Sequence, residues 1–175
     1  MTSPISVPLV ILIGIPGSGK STIARRWQGR EPGRCIISTD AIRQECFGDA
    51  AHQGPWPIIW REVCDRWQRA IAAIHRGQQR AVLFDATHAN RRDRRRTIQT
   101  ARQLGFTVID GYWINMPLNL CLARNRQRSR QVPEAIIRRM DQQLQRHPPH
   151  RSDGFDYLYT PHPAALDDLW YSHRD

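Results

Sequence analysis

Apolar residues follow two rhythms along this chain. Short unbroken runs, Pro-Leu-Val-Ile-Leu-Ile at 8–13 and Ala-Val-Leu-Phe at 81–84, have the length and composition of strands buried on both faces. Between such runs the apolar positions recur every three or four residues. Ile59, Val63, Trp67, Ala70, Ile71 and Ile74 predict a helix over about 58–76 that stops at Gly77. Further helices are predicted over 21–28, over 91–104 with Gly105 as the stop, over 117–124, and over 133–146. The last has Pro133 in its first turn and Ile136, Met140 and Leu144 on a shared core face. Strands are predicted at 8–13, 34–38, 81–85, 106–114 and 155–159.

Strand and helix alternate, which predicts an α/β domain: a parallel sheet of about five strands with helices on both faces. At 175 residues the chain is expected to form one domain over 1–160, with 161–175 as a C-terminal tail. His147-Pro148-Pro149-His150 reads as a plain loop, and 44–60 carries no readable pattern.

Charge changes the picture more than composition does. The formal net charge is +10, which implies attraction to polyanions, nucleic acid first, although enzymes that handle phosphate are often basic too. No apolar stretch approaches the ~18 residues of a membrane span, and the first apolar run reads as a strand rather than an export signal. Cys35, Cys46, Cys64 and Cys121 are scattered without a Cys-x-x-Cys pair. They are expected to be reduced thiols of a cytoplasmic protein, with no role in metal binding.

Lys20 is the only lysine among 26 Lys and Arg residues, and it stands in Gly14-Ile15-Pro16-Gly17-Ser18-Gly19-Lys20-Ser21. In such a G-x-x-x-x-G-K-[ST] loop, glycines let successive backbone N–H groups turn inward on phosphates. The lysine reaches the β and γ oxygens, and the hydroxyl at the next position ligates Mg²⁺. A buried strand before the loop and a helix after it supply the expected context.

Three other constellations lie where strands end, the ligand-binding edge of an open α/β sheet. In Ser38-Thr39-Asp40-Ala41-Ile42-Arg43, Asp40 is placed to take a proton from an attacking hydroxyl, with Arg43 one helical turn on. A cap for the following helix is the plainer alternative. In Phe84-Asp85-Ala86-Thr87-His88, Asp85 has the setting of a carboxylate that holds Mg²⁺ or its water, or again of a helix cap. Arg124-Asn125-Arg126-Gln127-Arg128-Ser129-Arg130 is too charged for a core. It is either a solvated linker or a lid over about 124–133, in which Arg124 and Arg128, four apart, share a helix face and close over a triphosphate. The run Arg91-Arg92-Asp93-Arg94-Arg95-Arg96 reads as a solvated helix face or as a contact for phosphates of a long substrate.

Taken together, the glycine loop, Asp-x-x-Arg after the second strand, Asp-Ala-Thr after the third and the arginine-rich lid ending in Val-Pro-Glu resemble the polynucleotide 5′-hydroxyl kinase family of P-loop kinases. That family includes the bacteriophage polynucleotide kinase, the kinase module of bacterial end-healing enzymes and small AAA-type predicted kinases. The resemblance covers about residues 8–160. It implies a P-loop NTPase kinase fold and ATP with Mg²⁺ as cofactors. ATP would be held by Gly14, Pro16, Gly17, Ser18, Gly19, Lys20, Ser21 and Thr22 with the lid residues Arg124 and Arg128, and the metal by Ser21 and Asp85. Asp40 would be the general base, and Asp40, Arg43, Asp85 and Thr87 would bind the 5′-OH end of DNA or RNA, Arg43 on the phosphate beside the acceptor. Lys20, Arg124 and Arg128 would stabilise the transferred group. His88 stands where related sequences usually carry asparagine, which here comes only at Asn90. The chain has no room for the phosphatase or ligase module of the end-healing enzymes. A small-molecule kinase of the same fold, a non-catalytic nucleotide-dependent switch and a basic nucleic-acid-binding module are the competing expectations.

Overall fold

The computed structural model describes residues 5–49 and 54–161. The first part of the expected tail is therefore Pro161, and the remainder lies outside the described residues. Strands β1 (Pro8–Ile13), β2 (Arg34–Ser38), β3 (Ala81–Asp85), β4 (Val108–Trp113) and β5 (Tyr157–Tyr159) form one parallel sheet in the order β2-β3-β1-β4-β5. All six residues of β1 and all five of β3 are buried. Because successive strand side chains point to opposite faces, both faces of the sheet centre are covered. The helices are α1 (Lys20–Arg30), α2 (Thr39–Phe47), α3 (Trp56–His75), α4 (Arg91–Leu104), α5 (Leu118–Arg126) and α6 (Glu134–Arg146). None of the described helices is long and apolar enough to cross a membrane.

Two strands are shorter than their apolar runs suggest, and each shortening has a cause. Phe106 spends its N–H on the carbonyl of Ala101, closing the α4 C-terminus around left-handed Gly105, so pairing begins only at Val108. On β5, the Asp156 side chain accepts the N–H of Ile109 at 2.6 Å, and Tyr157 is the first residue in register with β4. The loop at 147–150 leads into a 3₁₀ turn, Arg151–Asp153, that the sequence pattern does not reveal; the His150 ring caps it by accepting the Ser152 N–H.

Aromatic side chains fill the core beside β3. Trp67 is fully buried and meets Phe84 and Phe106 edge to face, at centroid distances of 5.0 and 5.6 Å. The other large buried group is a cation. Arg94 of α4 has no exposed surface and donates through Nε to Asp153 at 3.1 Å, through Nη1 to the carbonyls of His88 and Ala89, and through Nη2 to that of His147. One guanidinium thus ties the loop after β3 to the end of α6 and to the 3₁₀ turn. Arg91, one turn earlier, reaches the other oxygen of Asp153 at 2.9 Å.

Removing one member of a buried pair strands the other charge, at a cost of ~3–5 kcal/mol. Asp153→Ala should therefore lose about that much stability in urea unfolding. Arg95→Ala, on the exposed side of the same helix, should stay within ~0.5 kcal/mol of the parent.

Candidate active site

The chain leaves β1 at the sheet centre and enters α1 through the glycine loop. From β1, the sheet continues to β3 and β2 on one side and to β4 and β5 on the other, so the loop lies at the point where strand order reverses. Gly19, at φ 101°, is the N-cap of α1 and supplies no side-chain cap, which leaves the first amides of α1 free for an anion. Lys20 folds back over the loop: Nζ donates to the Ile15 carbonyl at 3.0 Å and lies 3.5 Å from Ser18 Oγ. Burial pushes its pKa down, against the opposing pull of the Asp85 and Asp40 carboxylates. Gly17 has φ 84°, and a Cβ there would sit 2.4 Å from the carbonyl oxygen of Cys121. The loop and α5 are in contact through bare backbone.

That contact sets the lid over the loop. A Cβ on Gly19 would lie 4.0 Å from Arg124 Nη1, so this guanidinium overhangs the phosphate-binding amides. The lid departs from the expected geometry in one respect: α5 ends at Arg126, and Arg128 sits in the turn beyond it rather than on the same helix face as Arg124. Both nevertheless line one cavity with the loop, and the positive charge of Arg128 is felt at Lys20. The helix stops because buried Asn125 turns its amide onto the chain ahead. It donates to the Val132 carbonyl at 2.8 Å and accepts the Val132 N–H at 3.0 Å, stapling the base of the lid. Arg126 is turned away, onto Glu134 at 2.8 Å.

Asp85 closes β3 with its carboxylate beside α1, where Oδ2 accepts from the Ser21 hydroxyl at 2.6 Å. It caps no helix; the cap of α4 is Asn90, whose Oδ1 accepts the N–H groups of Arg92 at 2.8 Å and Asp93 at 3.4 Å. A hydroxyl and a carboxylate side by side are hard oxygen donors of the sort Mg²⁺ takes, with water and phosphate oxygens completing its shell. Thr87 pins the same loop to the glycine loop, its carbonyl accepting the Gly14 N–H at 3.2 Å, while Gly14 itself is not on the cavity wall.

Asp40 is not a cap either. Ser38 caps α2, its Oγ accepting the Ala41 N–H at 3.5 Å. Asp40 instead lies between two guanidinium groups, Arg43 Nη1 on Oδ1 at 2.9 Å and Arg130 Nη1 on Oδ2 at 3.0 Å. Arg130 is a lid residue that sequence reasoning missed; nothing local marks it apart from its three neighbours. Arg43 Nε is buried without a hydrogen-bond partner among the described residues, an N–H that wants an oxygen.

Both ends belong to one cavity of about 1080 Å³, lined by the glycine loop, Asp40, Arg43, Asp85, Thr87 and the three lid arginines 124, 128 and 130. This is ample for two ligands, since drug-sized sites run ~300–1,000 Å³. Its far wall comes from the stretch that gave no pattern. Trp56 is 50% exposed and stacks on Trp60 at 5.9 Å, and Trp60 in turn packs edge-on against buried Trp67. His88 stands on the wall at φ 52°, held by its ring nitrogen to the Ala86 carbonyl at 3.2 Å.

The parallel sheet with a glycine loop after its central strand defines the P-loop kinase fold. A model of the AAA domain family matches residues 9–147, and the chain belongs to that family. The L-seryl-tRNA(Sec) kinase of Methanococcus maripaludis is 26% identical over 140 residues, covering 75% of this chain and 50% of that protein. The dephospho-CoA kinase of Corynebacterium diphtheriae is 34% identical over 110 residues, 58% of this chain and 54% of that one. The chain thus spans about half the length of the curated relatives it matches. Among solved structures, a chain of the Pnkp1/Rnl/Hen1 RNA repair complex superposes with a TM-score of 0.67 at 22% identity, over 99% of this chain and 53% of that one, a likeness of fold.

Burial lowers the pKa of His88 from 6.5 to about 4. As pH falls below ~6.5 the unfolded chain takes up this proton before the folded one, so stability is full above that pH and declines toward pH ~4. Thermal melts between pH ~7 and ~5 should show the parent losing a few degrees more, on the order of 2–8 °C, than His88→Asn, whose side chain suits positive φ. Parallel melting curves would rule His88 out as the source of acid sensitivity.

Proposed function

We propose that the chain is an ATP-dependent phosphotransferase acting on a 5′-hydroxyl end of DNA or RNA. One observation carries the reading: a phosphate-binding loop and a carboxylate clamped by two arginines, Asp40, face each other across a single cavity. Lys20, the free amides at the start of α1 and the lid residues Arg124 and Arg128 hold the triphosphate. Ser21 and Asp85 hold Mg²⁺, which supplies charge neutralisation on the phosphate oxygens. Each Asp40 oxygen spends one lone pair on an arginine and keeps another for the acceptor hydroxyl. Asp40 takes the hydroxyl proton as the new P–O bond forms and the bond to the departing nucleoside diphosphate breaks. The cations of Lys20, Arg124 and Arg128 face the charge on the transferred group.

A nucleic-acid acceptor is favoured by two features of the far end. Arg43 has an unmet N–H beside Asp40, as a phosphate next to the acceptor would require, and the exposed Trp56 indole offers a face on which a base can stack. The net charge of +10 is consistent with both. One relative's name, L-seryl-tRNA(Sec) kinase, also describes an acceptor carried on RNA. The deciding experiment supplies labelled ATP and Mg²⁺ with 5′-OH oligonucleotides, nucleosides and sugars. Label should reach the oligonucleotides; transfer to small molecules alone would make the chain a small-molecule kinase.

Asp40→Asn should retain nucleotide binding and lower turnover by ~10²–10⁴, the usual share of a general base. Unchanged turnover would reduce Asp40 to an anchor for Arg43 and Arg130. Arg43→Ala should raise the KM for a nucleoside 3′-phosphate on the order of tenfold while a bare nucleoside, already poor, changes little. Equal losses on the two acceptors would remove Arg43 from the substrate site.

A further inference from the structure

The six-residue run Arg91–Arg96 is divided by helical phase. Arg91 and Arg94 face Asp153, as described, and are part of the fold. Arg92, Arg95 and Arg96 make no contact with Asp153 and are exposed, and no ion pair to them occurs among the described residues. With Gln99 they occupy positions i, i+3, i+4 and i+7, one face of α4. Across from this face lies the end of α6, held at that distance by the bond from Arg94 to the His147 carbonyl, and it contributes Arg146 to the opposite wall.

The result is a groove of about 930 Å³, to which Arg91 also contributes while paired with Asp153, and no carboxylate among the described residues lines it. Asp93, the acidic member of the run, faces the active-site cavity instead. The groove and that cavity share Ala89, Asn90, Arg96 and Gln143, so they are continuous around the start of α4. Arg92 to Gln99 spans ~10 Å of helix, room for successive phosphates of an extended strand.

We propose that this groove carries the phosphates of a single-stranded acceptor beyond the nucleotide that reacts, an inference that rests on the reading of the acceptor as nucleic acid. Charge complementarity selects the occupant: the guanidinium groups of Arg92, Arg95 and Arg96, with no ion pair among the described residues, suit a repeating phosphate chain, and continuity with the cavity places that chain downstream of Asp40. Groove and catalytic end then have separate effects. Asp40 acts on every acceptor and Arg43 on any that carries the adjacent phosphate, whereas Arg92 and Arg95 act only on one long enough to reach them.

The test compares the full chain with Arg92→Gln/Arg95→Gln and with Arg92→Lys/Arg95→Lys. The acceptors are a nucleoside 3′-phosphate and a 5′-OH single strand of about ten nucleotides, each over a range of salt. The glutamine pair should raise the KM for the long strand on the order of tenfold and flatten its logarithmic salt dependence by about one unit or more. It should leave the short acceptor and the melting temperature unchanged, and the lysine pair should restore most of the loss. Unchanged kinetics on the long strand, or equal losses on long and short acceptors, would overturn the groove while leaving the phosphotransferase reading intact. A parent protein that labels no nucleic acid of any length would overturn both.

Discussion

The carbonyl oxygen of Cys121 occupies the space where a side chain on residue 17 would have to be. The placing of the lid over the cavity follows from that approach. It seats α5 on the glycine loop, which hangs Arg124 over the open amides of α1; the Asn125–Val132 staple then sends the chain back across the mouth. Only because the returning lid is held so close can Arg130 span the cavity to Asp40. A larger residue at position 17 would lift all of this at once.

Of the cations buried among the described residues, Arg94 and Lys20 are compensated differently. Arg94 meets a carboxylate and three backbone carbonyls, a nearly complete set for a guanidinium, and its role is to hold three segments together. Lys20 has one firm partner, the Ile15 carbonyl, and sits among Asp85, Asp40 and Arg128 at longer range. A buried ammonium left so incompletely satisfied gains most from a polyphosphate in the cavity, where a charge-assisted contact replaces solvent it has already lost. The first arrangement stabilises the fold; the second leaves binding energy in reserve for a ligand.

Much of the architecture was legible because its signals are local. Buried strands are short apolar runs, α3 and α6 repeat at the helical period, and the glycine loop is contiguous, so fold class and phosphate-binding residues were readable without contacts. Strand ends were misjudged where side chains or caps took over backbone pairing, as at Phe106 and Asp156. In the stretch 44–60, Trp56 stacks on Trp60 and Trp60 packs edge-on against Trp67, all three at helical spacing on α3, but that Trp56 and Trp60 wall the cavity depends on distant segments and has no local signal. Arg130 could not be told from Arg126 for a similar reason: both sit in a run of alternating arginines, and what separates them is whether Asp40 or Glu134 is within reach.

The sequence alone determined that this is an α/β chain with a P-loop after its first strand and an arginine-rich segment near its end, because periodicity, loop chemistry and charge are properties of neighbouring residues. Tertiary structure decided what each charge does. It made Ser38 and Asn90 the caps, freeing Asp40 and Asp85 for the cavity. It also split the arginines at the start of α4 into two held by Asp153, buried Arg94 and exposed Arg91, and a face of three with no ion pair among the described residues. Both outcomes depend on which groups from distant segments arrive opposite a given side chain, and a carboxylate 59 residues away, such as Asp153 from Arg94, leaves no trace in the local pattern.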